Sequence, residues 1–279
     1  MSVSYLVQSV SRAAAIGCFG ILAKFPSLTN RLALAGRLQR LASIAQQSDL
    51  SYGGIYSQST YAPWKGDTDF QRVFSVVRSH TLVDEYRCHE LWLLCGQIGT
   101  LEPGDLLEIG VWRGGTGTLL AERCKSTGIG GEVFLCDTFS GVVKVGRNDS
   151  SYIGGEHADT RKTTVIDLLE HMGLNNTQVL EGIFPEETGQ HIADRRFRFC
   201  HIDVDVYESA ADCFSWVWPR LVPGGIVVFD DYGFYSCSGV TRFVNEMIGT
   251  EDRLVVYNVN GHAVVTKRVI NHKASDVRC

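Results

Sequence analysis

Two apolar runs end in clusters of acid. Phe199-Cys200-His201-Ile202-Asp203-Val204-Asp205-Val206-Tyr207 closes one, and Val227-Val228-Phe229-Asp230-Asp231-Tyr232 closes the other. If the runs are neighbouring parallel strands, Asp203, Asp230 and Asp231 meet at one rim. Carboxylates crowded in this way cannot all stay ionised unless protons or a cation compensate. An all-oxygen set suits a hard cation, Mg²⁺ or alternatively Mn²⁺, and no Cys/His spacing points to zinc. A single strand-end aspartate is more often a turn or capping device. The constellation is what points to a metal.

A second constellation lies upstream, in Leu106-Leu107-Glu108-Ile109-Gly110-Val111-Trp112-Arg113-Gly114-Gly115-Thr116. Gly110, Gly114 and Gly115 let the backbone approach a ligand closely, and a helix opening at Thr116 turns free N–H groups toward an anion. The spacing is not the dinucleotide fingerprint, which argues against an NAD-linked enzyme. Glu108 would repel a pyrophosphate but suits an ammonium group, such as that of S-adenosylmethionine. Asp137 ends the next apolar run and, like the acid of dinucleotide folds, can accept from the ribose hydroxyls of an adenosine.

Parallel strands must position these residues. Strand-like runs at Asp105–Ile109, Glu132–Cys136, Thr177–Glu181, Phe197–Ile202, Gly225–Phe229, Leu254–Val259 and Ala263–Lys267 follow one another, with helical stretches between the first five. That alternation predicts a doubly wound, mostly parallel seven-stranded α/β sheet. Asn260-Gly261 predicts a hairpin, so the sheet should finish with an antiparallel strand. Ahead of the sheet, Thr68 or Asp69 is expected to cap one long helix running to about Gln97. His201, two residues before Asp203, shares its face in an unbroken strand and is read as packing.

The whole chain has 279 residues, 44% of them hydrophobic, and a net charge of −5. It is long enough to bury a core without disulfides, and its charge argues against a nucleic-acid partner. None of the nine cysteines forms a C-x-x-C pair, which fits reduced thiols and a cytoplasmic location. Residues 1–48 hold five basic residues and no acidic one, leaving −10 on the remainder. Residues 1–60 are expected to form a helical segment that packs as a lid or on a second subunit of a homo-oligomer. Weak membrane-surface contact through 1–48 is the lesser alternative.

With these residues in place, the chain resembles the macrocin O-methyltransferase (TylF-like) family of class I methyltransferases. The resemblance covers roughly residues 60 to 268, within a domain set at 61–279. It rests on Trp64-Lys65-Gly66-Asp67, the Glu108–Thr116 turn, Asp137-Thr138-Phe139-Ser140-Gly141, Glu181-Gly182-Ile183-Phe184-Pro185-Glu186, His201–Tyr207, Pro223-Gly224-Gly225 and Asp230-Asp231-Tyr232. The family acts on sugar hydroxyls of antibiotics, so the resemblance implies O-methylation of a glycoside or saccharide acceptor. It implies S-adenosylmethionine against Glu108, the Gly-rich turn and the Asp137-Thr138-Phe139-Ser140 strand end, with Gly182 and Phe184 on the adenine side. It implies Mg²⁺ on Asp203, Asp230 and Asp231, with Asp203 or Asp205 as the catalytic carboxylate. Two other readings stay open: a metal-dependent nucleotide-sugar glycosyltransferase, since Asp203-Val204-Asp205 matches a D-x-D motif, and methylation of a catechol-like diol. The polar stretch Val142–Arg161, with His157, is expected to be a mobile flap over the acceptor.

Overall fold

The computed structural model describes residues 49–52 and 59–269. The chain divides between Gln58 and Ser59, and the elements below belong to the second unit. The helical lid or subunit-contact segment expected over residues 1–60, and the membrane-surface contact through 1–48, lie outside the described residues apart from 49–52, 59 and 60.

Among the described residues, two α-helices precede the sheet, α1 (Thr68–Val77) and α2 (Glu85–Gln97). The sequence suggested one continuous helix here. Asp84 divides it by accepting hydrogen bonds from the N–H groups of Tyr86 and Arg87, which starts a new helix. Helix α1 is capped by Asp67, through the Phe70 N–H, rather than by Thr68 or Asp69. The break brings Thr81, Leu82 and Val83 to the cavity described below and aims Arg87 at it.

From there strands and helices follow in the order β1 (Asp105–Ile109), α3 (Gly115–Ser126), β2 (Val133–Asp137), α4 (Lys162–His171), β3 (Thr177–Glu181), β4 (Phe197–Ile202), α5 (Tyr207–Val217), β5 (Leu221–Phe229) and α6 (Ser238–Glu246), with only a 3-10 turn, Gly189–Ile192, between β3 and β4 where the sequence suggested a helical stretch. The hairpin of β6 (Arg253–Tyr257) and β7 (Ala263–Lys267) follows. The seven strands lie in the order β3-β2-β1-β4-β5-β7-β6. β1 to β5 pair in parallel, and β7 is antiparallel to both β5 and β6.

Side chains alternate across the sheet, so each strand feeds two cores. Leu106, Val133, Leu135, Phe199 and Val228 pack toward α1, α2 and α3. Leu107, Phe134, Cys200, Val227 and Phe229 pack toward α5 and α6. Burial on both faces explains why the central strands read as nearly continuous apolar runs. The same alternation puts Glu108, His201 and Asp230, each two residues beyond a member of the first core, on the side facing α2. The seven cysteines among the described residues are all buried and free. No described helix is long and apolar enough to cross a membrane.

Candidate active site

The residues that end β1, β2, β4 and β5 wall one cavity of about 250 Å³. It lies at the carboxyl edge of the sheet, where open α/β folds bind ligands. Ile202 of β4 stands opposite Phe229 of β5, so the next residues of the two strands, Asp203 and Asp230, emerge side by side. Their backbone N–H groups continue the ladder, to Ile109 O and Ile202 O, each at 2.9 Å. One carboxylate oxygen from each of Asp203, Asp230 and Asp231 falls within 4.8 Å of the other two. Gly110 is part of this fit: at φ +85° its Cβ would stand 1.7 Å from the Asp203 carbonyl oxygen. Asp205 and Asp231 hold left-handed φ values of 65° and 66°, strain of the kind that collects at functional sites.

The three carboxylates are not equivalent. Arg87 Nη1 donates to Asp230 Oδ2, while His262 Nε2 stands 2.7 Å and His201 Nε2 4.0 Å from Oδ1. Burial alone would raise the Asp230 carboxyl, but the facing imidazoles and Arg87 overcome it and hold the group well below the usual carboxylate range. At Asp203 and Asp231 the Arg87 charge offsets only part of the penalty. Burial and the charges of their acidic neighbours push both well above that range, and Asp231 Oδ2 is buried without a hydrogen-bond partner. The rim therefore has one ionised anchor and two carboxyls short of positive charge.

Asp205 lies beside this group. The Tyr152 hydroxyl donates to its Oδ1 and the Cys237 thiol stands 3.7 Å from the same atom. Both contacts fall on Oδ1. Burial, more than any neighbour, raises this carboxyl too.

On the other side of the cavity the expected residues divide. Gly110, Thr116, Asp137, Thr138, Gly182 and Phe184 line it. Gly114, Gly115, Phe139 and Ser140 do not: Gly114 and Gly115 turn the chain into α3, with Gly115 N–H donating to His80 O at 2.8 Å. Glu108 also stays off the wall. It is fully buried, with Oε1 2.8 Å from His201 Nδ1, while its Oε2 is buried without a hydrogen-bond partner. Between Glu108 and Asp230, and despite burial, His201 is raised to about 9. Asp137 also differs from expectation. Its Oδ2 accepts from Val111 and Trp112 N–H at 2.7 and 2.8 Å, and its Oδ1 from Phe139 N–H at 2.6 Å. It braces the Gly-rich turn as well as facing the cavity.

The stretch 142–161 lies over the opening without regular structure and is tied down along its length. Lys144 pairs with Glu186 and Asp212, Asp149 Oδ1 accepts from Tyr207 N–H at 2.9 Å, and Trp112 Nε1 donates to Asp159 at 2.8 Å. Tyr152 and His157 from this stretch, with Trp112 and Phe234, give the cavity aromatic walls. Arg87, Tyr152, Cys237, Phe234 and His262 were not legible as site residues. Only Arg87 left a signal: a cation in the first turn of a helix opposes the dipole and needs an acid to offset it.

Fold and rim together define a class I methyltransferase architecture. Among solved structures, that of the O-methyltransferase NovP superposes with a TM-score of 0.58 at 22% identity, over 68% of this chain and 83% of that one. The calicheamicin methyltransferase CalS11 gives 0.54 at 17%, over 78% and 99%. The chain belongs to the Macrocin-O-methyltransferase (TylF) family, whose profile matches residues 75–258. It is 32% identical over 161 residues to the 8-demethyl-8-(2,3-dimethoxy-alpha-L-rhamnosyl)-tetracenomycin-C 4'-O-methyltransferase of Streptomyces olivaceus, covering 54% of this chain and 61% of that protein. It is 29% identical over 171 residues to the mycinamicin III 3''-O-methyltransferase of Micromonospora griseorubida, covering 57% and 67%. The matched region thus spans about three-fifths of these relatives' own length.

Proposed function

We propose that the chain is an S-adenosylmethionine-dependent O-methyltransferase that methylates a hydroxyl of a sugar moiety, with Mg²⁺ held by Asp203, Asp230 and Asp231. The observation that carries this reading is the rim: three carboxylates within 4.8 Å, two of them short of positive charge. The donor set is all oxygen, and the buried, unpartnered Asp231 Oδ2 fits a hard divalent ion. When bound, such an ion supplies Lewis acidity that lowers the pKa of a hydroxyl on it. Membership of the methyltransferase family favours this over the nucleotide-sugar reading of Asp203-Val204-Asp205.

Methyl transfer from a sulfonium is an in-line displacement, so the protein's task is alignment. The turn from Gly110 to Thr116, opening α3, suits the carboxylate of the donor's methionine portion. Asp137 offers about four lone-pair sites as a carboxylate, so its three backbone bonds leave one for a ribose hydroxyl. Gly182 and Phe184 suit the adenine side. Asp205 Oδ2 takes the proton from the attacking hydroxyl, with Tyr152 holding the carboxylate in place. Aromatic walls around a few polar groups suit a sugar ring, and one matched relative carries a rhamnosyl group and 4'-O-methylation in its name.

The test is turnover of labelled S-adenosylmethionine against a panel of deoxysugar glycosides and catechols, with EDTA and with restored Mg²⁺. Metal-dependent methylation of a glycoside is expected. Methylation of catechols alone contradicts the sugar assignment, and full turnover in EDTA contradicts the metal.

A further inference from the structure

The hairpin turn at Asn260-Gly261 delivers a side chain to the rim. His262, the next residue, is fully buried. It lies two residues from Val264, which packs against the core facing α2, so alternation sends its ring toward Glu108, His201 and Asp230. Nδ1 stands 2.6 Å from Glu90 Oε2 and Nε2 2.7 Å from Asp230 Oδ1. Both ring nitrogens thus face carboxylates. Glu90 follows Arg87 by three positions on α2, nearly one turn. Helix α2 therefore grips Asp230 twice, through Arg87 on Oδ2 and through Glu90 and His262 on Oδ1.

The turn itself is fixed to this grip. Asn258 Nδ2 donates to Glu90, while its Oδ1 accepts from the N–H groups of Asn260 at 2.8 Å and His262 at 3.1 Å. Gly261 (φ +103°) leaves no room for a side chain, since a Cβ would stand 2.3 Å from the cavity-lining Phe234 ring. Among the described residues, neither Asp203 nor Asp231 receives a comparable ion pair.

We propose that Glu90 and His262 are positioning residues that hold Asp230 as the preformed arm of the rim and thereby set its affinity for a divalent cation. The proposal rests on the cation reading above. A carboxylate held by a hydrogen bond on Oδ2 and by a close ion-pair contact on Oδ1, where neither Oδ1 nor His262 Nε2 has a hydrogen-bond partner, has a restricted orientation, and removing such an outer partner typically weakens metal binding about 10–100-fold. A purely packing role predicts lost stability with no selective loss of cation.

Mn²⁺ binding to the full chain, read by electron paramagnetic resonance of the free ion, separates these. S-adenosylhomocysteine affinity by calorimetry is the control. His262→Asn removes the nitrogen facing Asp230 and keeps one for Glu90, whereas His262→Gln restores a donor near the Nε2 position. His262→Asn is expected to weaken Mn²⁺ binding about 10–100-fold, with His262→Gln closer to wild type and S-adenosylhomocysteine affinity within about twofold in both. Unchanged Mn²⁺ affinity in His262→Asn, equal losses in the two variants, or a matching loss of S-adenosylhomocysteine each overturns the proposal. If His262→Asn does not fold, Glu90→Gln takes its place, and wild-type Mn²⁺ affinity there overturns it. A wild-type chain that binds S-adenosylhomocysteine but no Mn²⁺ overturns the cation reading and this proposal together.

Discussion

Asp205→Asn changes charge and hardly changes shape. The Tyr152 hydroxyl donates to Asp205 Oδ1, and an asparagine oxygen accepts that bond equally well, so the loop should keep its conformation. What is lost is the proton acceptor at Oδ2. General-base catalysis contributes roughly 10²–10⁴-fold, or about 3–5 kcal/mol of barrier at about 1.36 kcal/mol per decade. The fold responds in the opposite direction. The Asp205 charge is one of those raising Asp203 and Asp231, so neutralising it relieves repulsion and the melting temperature should rise. Initial rates with labelled donor at saturating substrates, together with thermal unfolding, measure both effects. The pH profile adds a third. Because burial raises the Asp205 carboxyl and the base must be ionised, wild-type rate falls as pH drops through a value above the usual carboxylate pKa of about 3.9. That limb should vanish in the variant. An Asp205→Asn enzyme within about threefold of the wild-type rate refutes the assignment, since a base's contribution is at least tenfold larger than that.

Arg87→Met removes one partner of a buried ion pair whose side chains are 8% and 4% exposed, and should destabilise the fold by about 3–5 kcal/mol in urea unfolding. Gly110→Ala places a methyl group against the Asp203 carbonyl at a left-handed backbone position, and should yield little soluble protein. Asp203 and Asp231 have raised folded pKa values. The stability linked to them is complete below their unfolded pKa and is lost as pH rises through the folded values. Mg²⁺ should therefore raise the melting temperature more at pH 8 than near pH 5, where protons already relieve the crowding. Equal shifts at both pH values contradict this.

The parts of the fold that rest on periodicity were legible. Apolar runs of five or six residues define β1 to β4, with helices after β1 and β2 but only the 3-10 turn Gly189–Ile192 after β3, and Asn260-Gly261 marks the reversal into β7. The gathering of Asp203, Asp230 and Asp231 follows from strand adjacency alone. The break between α1 and α2 was not legible, because Phe70, Val77 and Leu91 keep helical spacing across the non-helical residues 78–84, after which the Asp84 cap restarts the helix. The partners of the acids were less legible still. Asp137, while facing the cavity, also braces three N–H groups, and Glu108 Oε1 meets His201; no local pattern encodes which polar group a carboxylate will find. His262 and Tyr152 reach the site from a hairpin and a loop whose direction is set only by tertiary packing.

Crystals grown with S-adenosylhomocysteine and Mn²⁺, with diffraction collected for anomalous scattering, test the rim most directly. The account predicts one strong anomalous peak bonded to Asp203, Asp230 and Asp231 within reach of the donor's sulfur. A rim without that peak while S-adenosylhomocysteine fills the cavity, or a peak remote from all three aspartates, contradicts it.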